Sequence, residues 1–82
     1  MQTPRDKAQA GLSLLKESIF EFLRQHKDGT AHSKVVTELG LESDFEGNQK
    51  NYLSWSVLGL LVNEGRATYE KRGNRKIYHA VR

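Results

Sequence analysis

The 82-residue chain contains no cysteine, which excludes a disulfide scaffold, thiol catalysis and a cysteine-based zinc finger. No apolar run approaches the roughly 20 residues that a membrane helix needs, and no secretory leader pattern follows Met1. The expectation is a soluble, cytoplasmic protein without a membrane partner. Catalytic signatures are missing as well: there is no P-loop and no G-x-S-x-G elbow. His26, His32 and His79 share no metal-ligand spacing. Glu42, Asp44 and Glu46 lack the ligand count and glycine placement of a calcium loop. The chain is therefore expected not to be an enzyme, and no cofactor, metal or small-molecule substrate is inferred. Internal repeats and low-complexity segments are also absent.

What is present is enough for one small domain with one modest core, since 37% of the residues are hydrophobic. Charge is unevenly spread. Residues 1–30 hold five cations and four anions, and residues 31–47 set Lys34 against Glu38, Glu42, Asp44 and Glu46. Residues 48–82 carry seven cations against Glu64 and Glu70, a local net charge of +5. Such asymmetry is an electrostatic footprint for a polyanion. A plainer account is that cations on a sheet edge prevent strand-to-strand aggregation.

The periodicities define the elements. Thr3-Pro4-Arg5-Asp6 carries a threonine cap, a proline in the first turn and an acid three residues after the cap, all signs of a helix start. Leu12, Leu15, Ile19, Phe22 and Leu23 recur by threes and fours on one helical face. Gly11 interrupts, so residues 1–11 read as an N-terminal extension, partly helical or frayed, before a domain over residues 12–82. Asp28-Gly29 is expected to end that helix. Residues 30–32 form an extended link able to add a short third strand. Ser33 is expected to cap a second helix over residues 34–39, with Val35, Val36 and Leu39 inward, Gly40 as its stop and Leu41 folding back.

A third helix is expected from about Asn48 to Asn63, closed by Gly65, with Leu53, Ser54, Val57, Leu58 and Leu61 inward. Beyond it, two strand-forming runs flank Gly73-Asn74, where glycine supplies the positive φ of a tight reversal. On the last strand Ile77, His79 and Val81 share one face, and Ile77 and Val81 are expected inward. The fold class is α+β: three helices on a small antiparallel hairpin.

The order of elements, with Leu58-x-x-Leu61-x-x-x-Gly65-Arg66-Ala67 leading into a basic hairpin, resembles a winged helix-turn-helix domain over about residues 12–82. That resemblance implies a third helix at the DNA major groove and a two-stranded β-wing on the backbone. It would turn Asn48, Gln49, Lys50, Asn51, Tyr52, Trp55 and Ser56 to the groove. Lys71, Arg72, Asn74, Arg75 and Lys76 would form the wing tip. The residues agree chemically, because amide side chains pair with adenine and Lys50 can reach guanine or phosphate. A polar first helical turn that touches nothing is the plainer account of the same cluster. The chain departs from the resemblance in two places. The turn before the third helix carries three acids, and glycine stands at position 59, where winged domains that bind left-handed nucleic acid have a tyrosine.

The function expected is a small DNA-binding protein of the transcription-regulator type, with double-stranded DNA as partner. Trp55 and Val62 are candidates for core or homodimer packing. They also support the alternative reading of a protein-interaction module, and an RNA-binding winged helix shares the phosphate chemistry.

Overall fold

A computed structural model describes residues 2–42, 44–45, 48–49 and 52–81. The first helix, α1 (Pro4–Gln25), opens on a complete capping box. The Asp6 N–H donates to Thr3 Oγ1 at 3.1 Å, and the Thr3 N–H donates to Asp6 Oδ2 at 3.2 Å. This reciprocal pairing satisfies two amides that no helical carbonyl can reach. With that start secured, the helix runs unbroken through Gly11. Its inward face is Ile19, Phe22 and Leu23, with Leu12 and Leu15 packed beside them.

α1 stops three residues earlier than its glycine suggests. His26 is the C-cap, and its N–H donates to the Leu23 carbonyl. Gly29 instead serves the following turn, with φ of +87°. β1 (Thr30–Ala31) then pairs with the last strand, which holds the backbone extended through Ala31. α2 (His32–Leu39) therefore begins directly after it, with Ala31 at the N-cap and no side-chain cap bond. Ser33, expected as the cap, sits inside the first turn. Gly40 takes a left-handed conformation, and Leu41 donates back to Val36 and packs on the core.

The third helix, α3 (Tyr52–Asn63), is shorter than its pattern implies. Asn48 and Gln49 form a short strand, β3 (Asn48–Gln49), paired antiparallel with β2 (Asp44–Phe45). A polar pair is equally compatible with a first helical turn or a strand, and pairing with β2 decides it. Ser54, Val57, Leu58 and Leu61 are buried as expected, but Leu53 is not. One residue before Ser54 means about 100° of rotation, enough to carry Leu53 off the buried stripe. Ser54 is fully enclosed, and its Oγ is hydrogen-bonded to His32 Nε2 at 2.7 Å, so this core hydroxyl is satisfied.

Two strands complete the chain: β4 (Ala67–Arg72) and β5 (Arg75–Ala80). The sheet order is β1-β5-β4, all antiparallel, so β5 is central. Its inward face is Tyr78 with Ala80, and Tyr78 belongs to the core cluster. This reverses the expected phase. Ile77 is only half-buried on the other face and Val81, past the end of the strand, is exposed. Register fixes the choice, because Tyr78 must share a face with Tyr69 and Ala80 with buried Ala67. The result is an α+β domain of three helices on a three-stranded sheet. Among the described residues no helix is long and apolar enough to cross a membrane.

Candidate nucleic-acid interface

The hairpin turn has only two residues between paired Arg72 and Arg75, with Gly73 at φ of +64°. So short a turn locks the register, which places Lys71 opposite Lys76 and Arg72 opposite Arg75. Like charges facing across a strand pair are destabilising. Folds tolerate such local conflicts chiefly where a residue serves something other than stability. Part of this one is relieved internally. The Arg72 Nε–H donates to Glu70 Oε1 at 2.8 Å, and an Arg72 terminal amine reaches the Asp28 carbonyl. His79 Nε2 lies 3.2 Å from the same Glu70 oxygen. Hydrogen bonds from Arg72 and then His79 hold the Glu70 carboxyl below the usual carboxylate range. Lys76 sets its ammonium 4.8 Å from the centre of the Tyr69 ring. Lys71 and Arg75 form no ion pair among the described residues.

The two faces of the hairpin therefore differ in kind. Tyr69, Lys71, Lys76 and Tyr78 share the face toward α3. Glu70, Arg72, Arg75, Ile77 and His79 share the other, which closes over Gly29 at the end of α1. Of the expected wing cations, Arg72 is the one already committed to a carboxylate.

On α3 the buried stripe leaves Tyr52, Ser56, Gly59 and Asn63 along the opposite side, at helical spacing. Trp55 and Val62 lie on the flank toward the hairpin. Trp55 is 53% exposed, so it does not complete the core. A tryptophan in so short a chain is usually needed inside, but here Ile19, Leu23, Leu58 and Leu61 fill that space. Between α3 and the hairpin lies a cleft of about 260 Å³, walled by Trp55, Gly59 and Asn63 on one side and Tyr69 and Lys76 on the other. Tyr78 forms its floor, 5.8 Å from Tyr69 between ring centres. Burial, and then the neighbouring Tyr69, push the Tyr78 hydroxyl above its ordinary value.

The structure thus brings Tyr52, Trp55, Ser56 and Val62 onto α3, and Lys71, Arg72, Asn74, Arg75 and Lys76 onto the hairpin. It does not place Asn48 and Gln49 on the helix, and Lys50 and Asn51 lie outside the described residues. Two contributors escaped the sequence reading. Tyr69 lines the cleft, and Glu70 restrains Arg72. Counting outward from Gly73-Asn74 would have found both, because a two-residue turn pairs Tyr69 with Tyr78. No family model, curated protein or solved structure matches this chain.

Proposed function

We propose that this chain is a winged helix-turn-helix module that binds double-stranded DNA, with α3 toward the major groove and the hairpin on the backbone. The observation that carries the reading is the wing tip. Two like-charge pairs face each other across β4 and β5, one on each face of the hairpin, and the Lys71–Lys76 pair has no carboxylate partner among the described residues, a repulsion that a phosphate there would relieve. The order of elements supports it: helix, short strand, helix, a two-residue strand pair, helix, then two strands, with the first strand on the far side of the last. So does the exposure of Tyr52 and Ser56 on the side of α3 away from the core.

Base reading then rests on fewer residues than the resemblance implies. Tyr52 and Ser56 are the helix-borne candidates, while Asn48 and Gln49 belong to β3 rather than to the helix. Phosphate contacts from Lys71, Asn74, Arg75 and Lys76 supply most of the affinity, and Arg72 contributes once released from Glu70. A domain with so few contacts binds modestly, and sequence specificity requires a second copy or a neighbouring domain.

Fluorescence anisotropy with a mixed-sequence duplex across a salt series tests this. Affinity should fall with a log–log slope of about −3 to −5. Replacing Lys71 and Arg75 together with alanine should weaken all duplexes alike and flatten the slope by about 2. Absence of binding at low salt would overturn the reading.

One observation favours a protein-docking role. Leu53 and Leu60 are exposed on the flank of α3 away from Trp55. Under that reading, Leu53→Ser with Leu60→Ser would abolish concentration-dependent self-association and leave duplex binding absent throughout.

A further inference from the structure

We propose that the cleft between α3 and the hairpin receives an unpaired base of a DNA strand, so that the protein prefers a duplex with a single-stranded tail over a blunt one. The inference rests on the DNA-binding reading above and names the substrate class of the same surface. Inside a duplex the bases are stacked on one another, and their faces are closed to side chains. Aromatic walls therefore engage bases only where one has left the stack, at an end, a tail or a flap.

The cleft has that character. Trp55 and Tyr69 stand on opposite walls, 53% and 46% exposed, although both would gain from burial. Tyr78 closes the floor beneath them. Gly59 leaves the helix wall open: a Cβ built there meets nothing within 4 Å. Asn63 brings an amide, donor and acceptor together, to the edge of a bound base.

Charge argues for a strand rather than a neutral ligand. Among the described residues, no acidic side chain lines the cleft, nor the adjoining space of about 360 Å³ that shares Trp55, Lys76 and Tyr78 with it. That second space opens onto Arg75 and Asn74 at the turn. A base held between Trp55 and Tyr69 would direct its 5′ or 3′ phosphate toward Arg75 and Lys76. The wing cations thus serve a duplex and its tail in one arrangement.

Trp55 is the only tryptophan, so its fluorescence reports a stacked base directly. The full chain is titrated with a blunt duplex, the same duplex with a thymidine tail, and the same duplex with a tail of abasic sugars. The tailed duplex should bind about 5- to 150-fold tighter than the blunt one and quench Trp55, as one stacked base implies. The abasic tail, with equal charge, should lose both effects. Gly59→Leu fills the cleft while replacing an exposed mid-helix glycine, so the protein should melt no lower and the ratio of tailed to blunt affinity should fall to about one. Equal affinity for all three duplexes without quenching would overturn the cleft assignment and leave the duplex reading standing. A tail preference that survives Gly59→Leu would do the same. Failure to bind any of the three would overturn both.

Discussion

Gly29 connects α1 to β1 with φ of +87°, in the left-handed region where an L side chain is strained. Its constraint is doubled by what lies over it. A Cβ at this position would stand 2.5 Å from both Ile77 Cγ2 and His79 Cε1, on the outer face of β5. Ile77 Cγ2 is a methyl on a stiff branched β-carbon, and the His79 ring can swing away only by giving up its contact with Glu70. Gly29→Ala is therefore expected to destabilise the protein by about 2–4 kcal/mol, combining backbone strain with overpacking. A urea midpoint shift measures this. Loss below about 0.5 kcal/mol would mean that β5 lies less closely on the end of α1. The consequence reaches the wing, because Arg72 also reaches the Asp28 carbonyl beside this turn. One glycine thus sets how the basic hairpin leans on the first helix.

At the scale of the element, Glu70 ties up one of the hairpin's cations, which under the proposed duplex binding would restrain affinity. Glu70 accepts from Arg72 and His79, and these bonds depress its pKa below the ordinary 4.5. A depressed carboxylate contributes stability that is full above its unfolded value and disappears as pH falls through its folded value. The wing network should therefore weaken only below about pH 4.5, and thermal melts of Glu70→Gln should be flatter than wild type in that acid window. Near neutral pH the same substitution frees Arg72 and makes the hairpin more positive by one charge. Duplex affinity at low salt should rise and the salt slope steepen by about 1. An unchanged slope would mean that Arg72 points away from the backbone even when released.

The hairpin and α1 were legible in the sequence for physical reasons. Gly73-Asn74 between strand formers permits a single register, and Leu12, Leu15, Ile19, Phe22 and Leu23 fit one helical face. The phase of β5 was not legible, because Ile77 with Val81 and Tyr78 with Ala80 are both apolar alternations. Only pairing with β4 chooses between them. The start of α3 was ambiguous for a similar reason, since Asn48-Gln49 lacks any apolar residue to fix its period. At the candidate site, the cations followed directly from composition. The aromatic cleft did not, because it depends on the rotation of α3 against a sheet face.

Over the whole molecule, mass and charge are arranged around one end of the core. Ile19, Phe22, Leu23, Val35, Val57, Leu58, Leu61, Ala67 and Tyr78 form a single buried cluster. α1 enters it only from Leu12 onward, and residues 4–11 are exposed on every side. Eight helical residues amount to about 12 Å of projecting helix. Its stability comes from the Thr3–Asp6 capping box and from continuity with the packed half, not from tertiary contacts. Removing residues 1–9 should therefore lower the melting temperature by no more than about 4–8 °C, the effect of roughly 1 kcal/mol in a domain of this size. Leu14 adds a second consideration, since it is 65% exposed on the packed half of the same helix. If α1 packed against another copy through Leu14 and the projecting turns, truncation would shift the mass in solution as well as the melting temperature. Sedimentation of the full and truncated chains at matched concentration separates the cases. Equal masses with a small melting shift identify the projection as a solvated helix, leaving α3 and the wing as the surface that meets a partner. A halved mass would place an interface between two copies on α1.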